Sequence, residues 1–142
     1  GVPYTVMDEA KELLHFAELR GMRQIARNWH RESEDIKKLF GRRGKSWHFG
    51  PIPVVWSSRV WKDLDERFLG PRGMTMIDAI GTHPSEMRWY GEALLAFGGI
   101  PILPIEPIFR CYHYEEQYYF WKERGETEEK VAVNYLGTCS TR

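Results

Sequence analysis

A chain of 142 residues is the size of one ordinary domain or of a piece of a larger one. Its apolar fraction of 42% supplies material for a core and excludes a disordered chain. Twenty basic and twenty acidic side chains cancel, which gives no push toward nucleic acid or an anionic membrane, and no apolar run approaches the roughly 18 residues of a membrane helix.

The chain opens GVPYTVMDEA, without an initiator Met and in mid-element, so 1–142 is expected to be a single domain or a fragment lacking an amino-terminal portion. No basic-then-apolar leader is present. Helical periodicity starts near Asp8, where Met7, Ala10, Leu14 and Ala17 recur at three- and four-residue steps. Gly21 separates this helix from a second, in which Met22, Ile25, Trp29, Ile36, Leu39 and Phe40 form one apolar stripe. Arg23, Arg27 and Arg31 line the opposite side. GRRGKSWHFGPIP reads as a loop, PVVW as a short buried strand, and Ser57 or Ser58 as the cap of a helix through RVWKDLDERF. MTMIDAI is compatible with either helix or strand. THPSEMRWYGEALLAF is a helix ended by Gly98-Gly99, and IPIL and IFRCYHY are strands. Along the second strand, Phe109, Cys111 and His113 share one face, and Arg110, Tyr112 and Tyr114 the other. Two helices around Gly125 close the chain. Helices alternating with about three short strands predict an α/β layer structure, rich in helix.

Few motifs carry chemistry. GRRGKS lacks the four residues that a phosphate loop places before GK, follows a helix, and leads into WHFGPIP, which cannot begin one. It is expected to be a solvated basic loop. The arginine side of the second helix is expected to be a solvated face for the same reason: Trp29 sits in the apolar stripe and not beside the arginines. Cys111 and Cys139 stand in no CxxC or Cys/His spacing, which predicts two reduced thiols in a cytoplasmic protein.

Glu86 is the sharpest single residue. At roughly 100° per residue it falls among Trp89, Ala93, Phe97, Tyr90, Leu94 and Met87, whereas Arg88, Glu92 and Leu95 fall opposite. Glu86 is therefore expected to face inward and Glu92 to face water. With Pro84 at the first helical position and His83 as cap, Glu86 would reach back to free backbone N–H groups, which explains its place without catalysis. The functional reading is a half-buried carboxylate acting as general base, with His83 beside it binding a substrate oxygen. His113 is either a buried, hydrogen-bonded imidazole or a metal ligand at the carboxyl end of a strand. Trp47, Trp56, Trp61, Trp89, Tyr90 and Tyr114 are either core or the stacking walls of a sugar cleft.

HPSEMRWYGEALL, PILPIEPIFRCYHYEEQY and NYLG, with GPIPVVWSSRVWKDLDERF before them, resemble a group of bacterial proteins classed as a domain of unknown function and related to GT-A-type nucleotide-diphospho-sugar glycosyltransferases. The resemblance runs from about Pro3 to Gly137. It implies the carboxy-terminal, acceptor-side part of a GT-A-like α/β sandwich that transfers a sugar from a nucleotide-sugar donor to the hydroxyl of a carbohydrate acceptor. It further implies Glu86 as the catalytic carboxylate; His83, Trp89, Tyr90, Trp47 and Trp56 are expected, from the residue reading above, to bind substrate. His113 would be a ligand of a divalent cation, Mn or Mg, held mostly by residues outside this chain. The D-x-D motif of such enzymes is missing, since Asp63 and Asp65 flank Leu64 inside a helix. Without an upstream half the chain is not expected to turn over. The alternative is a non-catalytic module that binds carbohydrate or a protein; no nucleic acid and no membrane span are expected.

Overall fold

The computed structural model describes residues 2–8, 19, 21–49 and 56–140. Six α-helices and six short strands make a mixed α/β, helix-rich architecture among them. The strands are β1 (Val2–Thr5), β2 (Met7–Asp8), β3 (Trp47–His48), β4 (Ile102–Ile105), β5 (Phe109–Tyr112) and β6 (Gly137–Ser140). The helices are α1 (Arg23–Leu39), α2 (Ser58–Asp63), α3 (Met76–Thr82), α4 (Glu86–Phe97), α5 (Glu115–Glu123) and α6 (Glu128–Asn134). No described helix is long and apolar enough to cross a membrane.

The strands exceed the three expected and form three two-stranded ladders. β1 runs parallel to β4, β5 runs parallel to β6, and β2 is antiparallel to β3. Two expectations are corrected here. Met7 lies in a strand and not on the helical stripe expected of it, while the loop expected over residues 41–53 supplies the partner strand Trp47–His48. GTCS carries no alternation of apolar residues; β6 exists because its backbone completes a ladder with β5 from Phe109↔Gly137 to Tyr112↔Ser140. The remainder of the helix expected after Asp8 falls on 9–18, and most of PVVW on 50–55, outside the described residues.

Local signals account for the helices. Ser57 caps α2 by accepting from the Arg59 N–H, and Leu64–Leu69 then widen into a π-helical turn. MTMIDAI resolves as a helix because Thr75 and Asp78 cap it reciprocally. α4 begins one residue after Ser85, so His83 is not its cap and Glu86 is its first residue, not its third. Gly98, left-handed at φ 59°, ends it.

The main core gathers Ile36, Val60, Leu64, Phe68, Leu69, Trp89, Tyr90 and Leu94 between α1, α2 and α4, each with at most 3% exposure. Each large apolar side chain so buried contributes about 1.5–3 kcal/mol. A second cluster of Leu19, Met22, Ala26 and Phe120 seats the start of α1 on α5. Arg88 ties the middle of α1 to α4, donating to Ser33 Oγ (2.5 Å) and to Glu32 (3.2 Å). Arg23, Arg27 and Arg31 lie exposed, as a solvated face requires.

Candidate functional site

The two carboxylates of α4 have exchanged their expected places. Glu86 is exposed, and Glu92 is 3% exposed. The wheel argument presumes water along one side of the helix. From Trp89 to Leu94, however, every residue of α4 is buried. The segment after α1 covers the supposed outer side: Phe49 packs against Gly91, and Arg42 meets Glu92 with Nε and Nη2 each 2.6 Å from a carboxylate oxygen. Burial along this helix follows position on the axis, not face, and Glu86 stands on the first turn beyond the cover.

GRRGKS is thus a fixed strap and not a free basic loop. Arg42 also donates to the Lys45 carbonyl (2.8 Å), and Lys37 Nζ reaches Glu34 (2.5 Å) and the Gly44 carbonyl (2.8 Å). The Ser46 hydroxyl donates to Glu34 as well. These bonds, that from Lys37 foremost, hold the Glu34 carboxyl below its usual 4.5.

The residues expected to bind substrate do not form one cleft. Trp89 and Tyr90 are 0% exposed, with their polar atoms used internally. Trp89 Nε1 donates to the His83 carbonyl (3.0 Å), and the Tyr90 hydroxyl accepts from the Ser57 N–H (2.8 Å). They are core, which corrects their reading as cleft walls. Trp47 is half-buried against the same core. His83 is half-buried, with its Nε2 3.7 Å from Asp35. Trp56 is exposed, stacked on Trp61 at 4.8 Å.

A cleft of about 470 Å³ opens elsewhere, between the β4–β5 connection, α5 and α6. Trp121, Tyr135, Glu106, Glu126, Lys130 and Asn134 are among its lining residues. Its size lies in the range of small-molecule sites. Strand alternation sends Arg110 and Tyr112 of β5 to this side, where both engage Glu126. Arg110 Nε and Nη2 each lie 3.0 Å from one of its oxygens, and the Tyr112 hydroxyl donates to it at 2.5 Å. The guanidinium lies 4.3 Å over the Trp121 ring and 5.7 Å from that of Tyr135. Burial, then the bond to Glu126 and its charge, push the Tyr112 phenol up to about 12, so it stays a donor at neutral pH. At the rim, Lys130 Nζ donates to the Gly125 carbonyl (2.6 Å) and Asn134 Nδ2 to the Lys130 carbonyl (2.8 Å). Sequence reasoning missed this cleft, whose residues come from scattered segments. The available signal was the Arg110/Tyr112 strand face, which needs a carboxylate partner once covered.

His113 lies on the other face of β5. Its Nε2 is 3.7 Å from Cys111 Sγ, and its ring meets Trp29 edge-on at 6.3 Å. Among the described residues no three His, Cys, Asp or Glu side chains converge as a metal group. The sulfur and the indole beside it are not the oxygen ligands that a magnesium- or manganese-type cation takes. Burial holds the imidazole below its ordinary 6.5. The unfolded chain therefore takes up the proton first as pH falls. The stability that neutral His113 contributes is complete above pH 6.5 and is lost as pH falls toward the folded value. Urea midpoints are expected to decline with acid in this window, and His113→Gln to flatten that part of the slope; equal slopes in both proteins would refute the assignment.

Comparison with protein-family models, curated proteins and solved structures finds no match to this chain.

Proposed function

We propose that this chain is the acceptor-side, carbohydrate-binding part of a cytoplasmic glycosyltransferase-like protein of GT-A-like architecture, and that the cleft between α5 and α6 holds the sugar. The observation that carries this reading is the pairing of two lining rings, Trp121 and Tyr135, with a lining carboxylate, Glu126, that Arg110 and Tyr112 hold from behind. A pyranose has apolar C–H faces that suit aromatic rings and equatorial hydroxyls that need directed partners. Asn134, Glu106 and Lys130 offer an amide, a carboxylate and an ammonium around the opening. The Glu126 charge is compensated by Arg110 behind it, which suits a neutral ligand. The resemblance of HPSEMRWYGEALL and IFRCYHYEEQY supports the transferase context. Nucleotide-sugar binding and any divalent cation belong, on this reading, to residues outside the chain. Glu86 does not line the cleft. The part assigned to these residues is to hold and orient the acceptor.

The test is a titration of the isotopically labelled chain with methyl glycosides of common hexoses and N-acetylhexosamines, followed by amide and indole NMR. Shifts are expected at Gly125, Asn134 and the Trp121 indole. Asn134→Ala should weaken binding about tenfold, the effect of losing one directed hydrogen-bonding group. Glu86→Gln should leave it unchanged. Cleft resonances that stay still throughout, or shifts confined to the Trp56 and Trp61 indoles, would overturn the assignment.

A further inference from the structure

The chain has two cysteines, 28 positions apart in sequence, and the fold sets them side by side. Cys111 of β5 and Cys139 of β6 are direct partners in a parallel ladder. Direct partners in a sheet project to the same face. The neighbouring rung on that face shows the register in its packing, because the Phe109 ring lies 3.5 Å from where a Cβ on its partner Gly137 would stand. Neighbouring strands run roughly 4.8 Å apart, inside the Cα separation of about 4.4–6.8 Å that a disulfide spans. Neither cysteine is in a disulfide, and both residues are partly exposed. β6 has one strand neighbour among the described residues, β5, and can draw toward it without breaking a second ladder. His113, two residues along the same face, completes the group with its ring nitrogen 3.7 Å from Cys111 Sγ.

We propose that Cys111 and Cys139 form a reversible intrachain disulfide, with Cys111 the attacking thiol, and that hydroperoxides are the oxidant class. The Cys111 proton passes to the imidazole, and the thiolate sulfur attacks the outer peroxide oxygen. An S–O bond forms and the O–O bond breaks, and the departing oxygen takes the proton from the imidazolium and leaves as water or an alcohol. The Cys139 sulfur then attacks the sulfenic sulfur of Cys111. An S–S bond forms, the S–O bond breaks, and the hydroxide leaves as water with the Cys139 proton. Two thiols lose two electrons and two protons, and one peroxide is reduced. A dithiol reductant reverses the change by exchange. The pair lies on the opposite face of β5 from Arg110 and Tyr112, so this chemistry is independent of the sugar-binding reading.

Thiol counting on the native full chain tests the proposal. Two free thiols are expected before peroxide treatment and none after it, with the chain still monomeric on a non-reducing gel and lighter by two hydrogens. Peptide mapping should join the Cys111 and Cys139 peptides, and dithiothreitol should restore both thiols. In Cys139→Ser, a dimedone-type reagent should trap sulfenic acid at Cys111. Thiols that survive peroxide in the folded protein, or disulfides that form only between chains or only in urea, would overturn it. The wild-type count needs no variant to fold. Trapping at residue 139 instead, in Cys111→Ser, would overturn the assigned order of attack.

Discussion

Glu92→Gln is expected to cost the fold about 3–5 kcal/mol, the penalty of breaking one side of a buried ion pair. Glu86→Gln on the same helix should stay within about 0.5 kcal/mol, as for an exposed site. The Glu92 carboxylate is 4% exposed and the Arg42 guanidinium 20%, and two parallel N–H···O bonds of 2.6 Å join them. A glutamine in that place accepts one of the two bonds and turns an N–H toward the other guanidinium donor. Arg42 keeps its charge, with 20% of its side chain open to water and its bond to the Lys45 carbonyl retained. Urea denaturation of the two variants beside the parent measures the difference. Equal midpoints for Glu86→Gln and Glu92→Gln would refute the inside-out assignment of α4. Replacing both partners, as Arg42→Met with Glu92→Leu, should recover much of the loss, because the penalty lies in stranding a charge and not in lacking one.

Gly91→Ala should destabilise the protein by about 1–3 kcal/mol, against the gain of about 1 kcal/mol that alanine brings to an open helix position. A Cβ at residue 91 would stand 2.2 Å from the Phe49 ring. Phe49 is 3% exposed, so its ring can yield only by shifting within a close-packed interior. Gly81 in α3 is the control, since a Cβ there meets nothing within 4 Å. Gly81→Ala is expected to stabilise by about 0.4–1 kcal/mol. Thermal or urea midpoints moving the same way in both variants would show that Phe49 does not sit on α4 as described.

Features governed by near neighbours were legible in the chain. The stripe of α1, the Ser57 cap and the two-sided pattern of Phe109–His113 all depend on residues a few positions apart. The structure reproduces them in Ile36, in the Ser57–Arg59 bond and in the split between Cys111 and Arg110. What failed to show depends on distant segments. Glu92 reads as solvated until Arg42, 50 residues earlier, is brought over it. β6 has no pattern of its own and exists through β5. The cleft lies between connections, where Glu106 and Asn134 meet only after α5 and α6 have folded back. Trp89 and Tyr90 lie on the apolar side of α4 as their spacing predicts, but aromatic character alone does not distinguish a wall from an interior.

The strap over α4 changes which substitutions this chain tolerates. Residues 41–49 look like a connector free to drift in composition, yet positions 42 and 49 are committed to counterparts far along the chain, Glu92 and Gly91, and position 46 to Glu34 of α1. A change at Arg42 without one at Glu92, or of ring size at Phe49 while Gly91 stays bare, leaves a mismatch that neither half can absorb alone. Viable variants must therefore alter such positions in concert or leave them untouched, even though the stretch carries the glycines and basic residues that ordinarily mark permissive ground.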